Sequence, residues 1–359
     1  MKSNNALIQI NDKNIGLDYP TYFIADIAAN HDGNLGRACD LIQKAAKAGA
    51  NAAKFQHFTA ETIVSDHGFM SLNSQKSHQS KWKKSVFEVY NDASISLEWT
   101  AKLKESCDEV GIAFFTSPYS IELVNYIDPY VPAYKIGSGD ITWIEIVKHI
   151  AAKQKPYILA TGASTMDDVN RAVTAGRAIN PHLCLMQCNT NYTADINNFK
   201  YIHLNVLTVY KKMYQDIVLG LSDHTSGHST VLGAVALGAR VIEKHFTDDV
   251  SRSGPDHAFS MDSKSWEEMV YRTRELEYAL GGAIKRIEPN EAETVVLQRR
   301  SIRASQNIFA GTTLIDELLT VLRPCPEGGL APYQMRELIG KKIKRDISKG
   351  EHLRWTDLE

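Results

Sequence analysis

Residues Ile217–Thr247 read IVLGLSD, HTSGH, STVLGAVAL, GAR, VIEKHFT. Two short apolar runs, Ile217–Asp223 and Val241–Thr247, flank a stretch, Ser229–Leu237, whose apolar residues fall at three- and four-residue spacing. The runs have the length of buried strands and the stretch has the period of a helix. The segment is therefore one strand–helix–strand unit, which implies parallel pairing through a right-handed crossover. The same alternation extends through most of the chain. Runs at Tyr22–Ala28, Ala52–Phe58, Ile112–Ser117, Ala133–Ser138, Pro156–Gly162 and Leu183–Cys188 bring the set to eight. Helical stretches at Asn34–Ala48, Leu97–Val110 and Met166–Arg177 lie between them. Eight such units within about 250 residues match an α/β fold of the (β/α)8 TIM-barrel type. An open doubly wound sheet is the alternative. Its dinucleotide fingerprint, Gly-x-Gly-x-x-Gly, is missing from the first strand–helix turn, Ala29-Asn30-His31-Asp32-Gly33-Asn34, which weakens it.

Two stretches break the rhythm. Thr59–Ser96 is a long polar insertion after the second strand, and long loops in compact domains are usually functional. Past the helical stretch Trp266–Leu280, Gly281-Gly282 ends the pattern and Ile284–Leu297 reads as a linker. Beyond it, short β-rich runs (Arg303–Ser305, Thr313–Leu314, Leu319–Leu322, Lys341–Ile347) are separated by glycines and prolines. The expected organisation is a barrel over residues 1–283, a linker over 284–300 and a small, mostly β domain over 301–359. The basic run Lys341–Arg345 has Asp346 and Glu351 beside it and reads as a solvated strand face.

The charges nearly cancel, with 40 Lys and Arg against 42 Asp and Glu, so a nucleic-acid or anionic-membrane partner is not expected. The five cysteines are scattered, without a Cys-x-x-Cys pair, which suits reduced thiols in a cytoplasmic enzyme. Met1–Gly16 lacks a signal peptide's apolar centre, and no apolar run approaches the ~20 residues of a membrane span.

Barrel chemistry sits at the C-terminal ends of the strands. In chain order those ends carry Asp26 and His31, Lys54 with Gln56 and His57, Thr116, Lys135 with Ser138 and Asp140, Thr161, Tyr192, Ser222 with Asp223 and His224, and Glu243 with His245. Lys54 and Lys135 lie inside apolar strands, and a buried ammonium needs an anion. Asp26, Asp140 or Glu243 could pair with them. Two lysines with Ser138 and Thr116 on one rim suit a phosphate or carboxylate ligand better. His224 and His245 end adjacent strands, one β/α unit apart, so their imidazoles can meet above the barrel and hold Mn, Fe, Co or Zn. Asp223 and Glu243 are candidates to orient them, and His31 and His57 compete for the ligand role. Cys188 could face the site, whereas Cys184 and Met186, on the same strand face, read as core.

These residues resemble the sialic acid synthase family. The similarity rests on Asn30-His31-x-Gly33, Lys54-Phe55-Gln56, Tyr134-Lys135-Ile136-Gly137-Ser138-Gly139, Gly220-Leu221-Ser222-Asp223-His224, Glu243-Lys244-His245-Phe246-Thr247 and Gly254-Pro255-Asp256. Ser301–Glu359, with Arg323-Pro324 and Gly340-Lys341, is similar to that family's antifreeze-like (β-clip, or SAF) domain. The resemblance implies a nonulosonic acid synthase that condenses phosphoenolpyruvate with an N-acylated hexose. The product is a nine-carbon 2-keto-3-deoxy acid, and phosphate is released. It further implies a divalent metal, typically manganese, with magnesium, cobalt or zinc as alternatives, held by His224 and His245. By the same resemblance Asp26, Lys54, Lys135, His224 and His245 are catalytic. Lys54 and Ser222 hold the carboxylate of phosphoenolpyruvate, and Lys135, Ser138 and Thr116 hold its phosphate. Thr161 joins the substrate rim, Gln56, Tyr192 and Asp256 face the sugar, and Arg323 reaches in from the partner of a domain-swapped homodimer.

The chain departs from the family pattern at Asp26, usually Glu, at Ala28, usually Gly, at Ala160 and Thr190, and at Cys325 in the Arg-Pro-Gly motif. An Asn that members using N-acetylmannosamine carry has no clear match in Ser71–Trp82. With Trp82 and Phe87 in the same loop, this points to a 6-deoxy or diacetamido hexose. The alternatives are another phosphoenolpyruvate–aldose synthase, for which Lys76, Lys81, Lys83 and Lys84 would hold a second phosphate, and a non-catalytic carbohydrate-binding relative.

Overall fold

The computed structural model describes residues 6–72, 79 and 82–359. They form two compact units, Met1–Gly281 and Gly282–Glu359. In the first, an antiparallel hairpin of β1 (Leu7–Ile10) and β2 (Lys13–Gly16) precedes eight strands. These are β3 (Tyr22–Asp26), β4 (Ala52–His57), β5 (Ala113–Pro118), β6 (Tyr134–Ile136), β7 (Tyr157–Ala160), β8 (Leu183–Cys188), β9 (Val218–Asp223) and β10 (Val241–His245). They hydrogen-bond in the order β5-β4-β3-β10-β9-β8-β7-β6. β5 and β6, at the two ends of that ladder, lie side by side and close the barrel. Every apolar run read from the sequence is a strand, with its ends shifted where the backbone turns. At Ala28, for example, φ is 44°.

The outer layer is helical. α1 (Leu35–Lys47) follows β3. Asn34 caps it by accepting the Arg37 amide, and Ala38, Leu41, Ile42 and Ala45 form its buried stripe. After β4 the insertion folds into α2 (Ala60–Ile63), α3 (Asp66–Ser71) and α4 (Val86–Ala93). Ser65 caps α3, and Ser85 with Glu88 forms a capping box on α4, so serines that read as loop composition nucleate short helices. α5 (Trp99–Glu109), α6 (Ile121–Ile127), α7 (Ile144–Ala152), α8 (Met166–Arg177), α9 (Val206–Met213), α10 (Ser229–Ala236) and α11 (Ser263–Leu280) complete the layer.

Strand alternation divides the core in two. Phe23, Ala53, Phe55, Phe114, Leu159, Leu185, Leu221 and Ile242 pack against the helices. Their neighbours Ile24, Ala52, Phe115, Ile158, Cys184, Met186, Val218 and Val241 meet on the barrel axis, where the hairpin's Ile8, Ile10 and Ile15 plug the N-terminal end. A buried Phe or Ile contributes roughly 1.5–3 kcal/mol. The axis is thus filled from below, and only its C-terminal end is left open.

In the second unit, the stretch expected as linker contains a 3-10 turn, Pro289–Glu291, and α12 (Ala292–Gln298). Pro289 starts the turn and Glu288 with Glu291 boxes its cap. β11 (Ser301–Ala304) pairs antiparallel with β12 (Leu319–Leu322). Single bridges Thr313–Lys342, Ile308–Ile347 and Ile343–Leu358 tie the loops, and α13 (Met335–Leu338) adds Leu338 to a core of Ile302, Leu314, Leu319, Leu330, Ile343, Ile347, Leu353 and Leu358. Among the described residues no helix is long and apolar enough to cross a membrane.

Candidate active site

The open end of the first unit's barrel holds a cavity of about 360 Å³. Asp26, Lys54, Gln56, Ser117, Lys135, Cys188, Ser222, Glu243 and His245, all on strands, line it. Several follow an axis residue by two: Asp26 follows Ile24, Lys54 follows Ala52, Ser117 follows Phe115, Cys188 follows Met186 and Glu243 follows Val241. Residues between them face the helices. This parity corrects two expected substrate contacts. Thr116 turns outward, where its Oγ1 meets His57 Nδ1 at 2.7 Å, and Thr100 takes the other side of that ring at 2.8 Å. Thr161 also turns outward, donating to the Met186 carbonyl at 2.9 Å and accepting from the Tyr210 hydroxyl at 3.0 Å. Ser117 lines the cavity instead of Thr116.

The lysines are paired within the protein. Lys54 Nζ is 2.6 Å from Asp26 Oδ2 and 4.0 Å from Glu243 Oε2, and Lys135 Nζ is 3.0 Å from Glu243 Oε1. The strand register explains the first pair, because Asp26 and Lys54 stand directly opposite on β3 and β4. Ser222, opposite Glu243 in the β9–β10 ladder, donates its hydroxyl to Glu243 Oε1 at 3.0 Å. Burial disfavours the Lys54 ammonium, but Asp26 and Glu243 outweigh burial and hold its pKa above the ordinary lysine value. Burial likewise opposes the Glu243 carboxylate, and Lys135 and Lys54 overcome it, keeping Glu243 ionised. Burial, helped by Glu243, pushes the Asp26 carboxyl pKa above its ordinary value against the pull of Lys54, and both lysines of the cluster also face the cavity.

The imidazoles of His224 and His245 meet, with ring centroids 5.4 Å apart. Burial, then repulsion from His245, lowers the His224 pKa to about 4. Burial, then Lys54, lowers that of His245 to about 3. Both rings are neutral at physiological pH. His224 Nδ1 lies 2.9 Å from the Asn189 carbonyl. A carbonyl only accepts, so the proton sits on Nδ1 and Nε2 presents a lone pair. His245 turns Nε2 towards Asp26 Oδ2 at 3.5 Å, and its buried Nδ1 has no hydrogen-bond partner among the described residues. Neutral rings with bare nitrogens fit a divalent metal. Among the described residues no group of three His, Cys, Asp or Glu side chains is placed to hold one. The orienting partner is the Asn189 carbonyl, not Asp223, which faces away to Lys244 at 2.5 Å and to Thr230 at 2.7 Å. His31 and His57 do not line the cavity.

The remaining expectations divide. Ser138 accepts the Gly162 amide at 2.9 Å, Tyr192 packs its ring 4.3 Å from that of His224, and Asp256 accepts the Ala29 amide at 3.1 Å. All three line the cavity with Gln56 and Ser222. Arg323 is exposed on the second unit. Lys83 and Lys84 are exposed and off the cavity, with Lys84 paired to Asp92 at 2.5 Å. Lys76, Lys81 and His78, with most of the loop searched for the family's Asn, lie outside the described residues. Phe87 is not on the cavity wall. Phe58, Ile63, Trp82, Val89, Tyr90 and Ala93 form an apolar side that periodicity could not reveal. The rings of Phe58 and Tyr90 lie tilted with centroids 5.5 Å apart, and Trp82 meets Tyr90 at 6.4 Å.

Asp140, at the end of the 3-10 turn Ser138–Asp140, also lines the cavity. Burial raises its carboxyl pKa from 3.8 to about 6, only partly opposed by Lys135. Where the group is protonated in both folded and unfolded states it costs nothing. The cost develops as pH rises through that interval and is complete above it. Asp140→Asn is therefore expected to stabilise the protein by about 1–2 kcal/mol near pH 7.5 and to leave it nearly unchanged near pH 3. Denaturant unfolding at both pH values checks this, and an equal effect at the two would exclude it.

Residues 41–285 match the NeuB family and residues 299–359 match the SAF domain. The chain is 31% identical to the N,N'-diacetyllegionaminic acid synthase of Legionella pneumophila over 100% of both chains. It is 33% identical to the pseudaminic acid synthase of Campylobacter jejuni, over 96% of this chain and 99% of that one. The crystal structure of N-acetylneuraminic acid (sialic acid) synthetase from Leptospira borgpetersenii in complex with citrate superposes with a TM-score of 0.70 and 27% identity, covering 81% of this chain and 95% of that chain.

Proposed function

The chain belongs to the NeuB family, and on that premise we propose that its cavity joins phosphoenolpyruvate to an N-acylated hexose, giving a nine-carbon 2-keto-3-deoxy acid and inorganic phosphate. The observation that carries this reading is the buried Lys54–Asp26 and Lys135–Glu243 cluster beside two neutral imidazoles at the open end of the barrel. Phosphoenolpyruvate brings a carboxylate and a phosphate. Its anionic oxygens take over the lysines from Asp26 and Glu243, so the ammonium charges are already desolvated and aimed before substrate arrives. Lys54 with Ser222 serves the carboxylate, and Lys135 with Ser138 and the Gly162 amide serves the phosphate. Carbon 3 of the enol attacks the aldehyde carbon of the open-chain sugar and forms the new C–C bond. Water adds at the resulting cationic carbon 2, and the C–O bond to phosphate then breaks, releasing phosphate. His224 Nε2 and the bare nitrogen of His245 would hold a divalent ion, most often manganese in this family, whose chemistry is Lewis acidity towards the aldehyde oxygen. Gln56, Tyr192 and Asp256 orient the sugar. A phosphate-release assay with phosphoenolpyruvate and a sugar panel tests the reading, and no release with any N-acylated hexose would overturn it.

The wall of Phe58, Ile63, Trp82, Val89 and Tyr90 supports a 6-deoxy, diacetamido acceptor. A methyl group or acetamide methyl gains there what a hydroxyl loses, worth roughly 1–2 kcal/mol. The expected result is a kcat/KM about tenfold higher for a 2,4-diacetamido-2,4,6-trideoxyhexose than for N-acetylmannosamine. The reverse preference would refute it. A cytoplasmic location and the exchanged homodimer implied by the resemblance belong to the same proposal, and a monomer in light scattering would exclude the exchange.

A further inference from the structure

A second cavity, of about 330 Å³, lies at the other end of the barrel. Its lining contains three cationic side chains, Lys211, Lys212 and Arg240, and no carboxylate. The lysines end α9 and Arg240 immediately precedes β10. The Lys211 ammonium lies against Gly238, 3.7 Å from where a side chain there would begin, so its charge sits at the cavity. Arg240 gives Nη1 to the carbonyls of Val235 at 3.1 Å and Ala239 at 2.7 Å, and its buried Nε has no partner among the described residues. Burial also pulls the Arg240 pKa below its ordinary value, with Glu277 and Asp18, which do not line the cavity, opposing that pull. Leu17, Ile217, Val218 and Leu219 supply an apolar lining. Three like charges around a cavity of ligand size, with apolar surface between them, are complementary to a carbon body bearing anionic oxygens.

The position links this cavity to the chemistry. Val218 and Leu219 open β9, whose far end delivers Ser222 and His224. Arg240 leads into β10, which delivers Glu243 and His245. We propose that this cavity is a regulatory site for a small organic anion carrying a carboxylate or a phosphate. Its occupancy would be felt at the catalytic end through β9 and β10.

The test uses the full-length enzyme saturated with phosphoenolpyruvate, so that Lys54 and Lys135 are occupied. Glutarate is the carboxylate probe and glycerol 3-phosphate the phosphate probe. One of them is expected to bind by calorimetry and to change the KM for the sugar at least about twofold. Lys211→Glu with Lys212→Glu, on an exposed helix end, should weaken that binding about tenfold or more while kcat without probe is unchanged. Arg240→Gln should weaken it as well, and Lys211→Glu/Lys212→Glu keeps the test valid if the arginine variant fails to fold. Binding of neither probe, equal binding to the lysine variant, or binding without any kinetic effect would each overturn the proposal. The arm that binds identifies the anionic group.

Discussion

Replacing Lys135 with methionine is expected to lower kcat/KM for phosphoenolpyruvate by about 10²–10³-fold, the loss that follows when a desolvated charge contact to an anion is removed. The sequence by itself suggests that such a change costs little stability, since it deletes a buried charge. The structure alters that expectation. Glu243 would lose its 3.0 Å partner and keep only the Ser222 hydroxyl and Lys54 at 4.0 Å. A destabilisation of about 1–3 kcal/mol should follow. Adding Glu243→Gln removes the stranded carboxylate and should restore most of that stability without restoring substrate binding. Calorimetric titration with phosphoenolpyruvate and denaturant unfolding separate the two effects. If Lys135→Met binds phosphoenolpyruvate within twofold of wild type, the lysine is structural and its assignment fails.

His245→Ala should abolish turnover, by about 10³-fold or more, and also metal retention. The residue is buried, and its Nδ1 has no partner to lose, so folding should survive and the thermal midpoint should shift little. Chelation of the wild-type enzyme should stop phosphate release, and manganese should restore it. Metal analysis of dialysed protein supplies a readout apart from activity, with bound ion expected in the wild type and absent from His245→Ala. Full activity in excess chelator, with no metal detectable, would remove the ion from the mechanism. The neutral state of both rings, with pKa values of about 4 and 3, predicts that metal loading is insensitive to pH across the physiological range.

The barrel was legible because its strands are short, apolar and separated by stretches of a different period. The residues at strand ends were legible as a list, but their facing required parity. Cys184, Met186 and Cys188 show that the alternation is readable along β8. Carried to β5 and β7, the same alternation puts Ser117 and not Thr116, and Ala160 and not Thr161, towards the axis. The partners of Lys54 and Lys135 were not legible, because they depend on register between β3 and β4 and on reach across the barrel. The apolar wall and Asp140 lie in a capped-helix insertion and a 3-10 turn, where no period extends from a strand and side-chain direction is set by tertiary packing.

The cavity has two separable origins. Its charges and imidazoles come from the strands and their ends, and its apolar wall comes from the segment between β4 and α5. A single-residue insertion in a strand would exchange every inward side chain for an outward one and destroy the chemistry. Among the described residues between β4 and α5 no ladder constrains the length. Acceptor choice is therefore the part of this enzyme that can drift by insertion, deletion or recombination while the bond-forming apparatus is inherited intact.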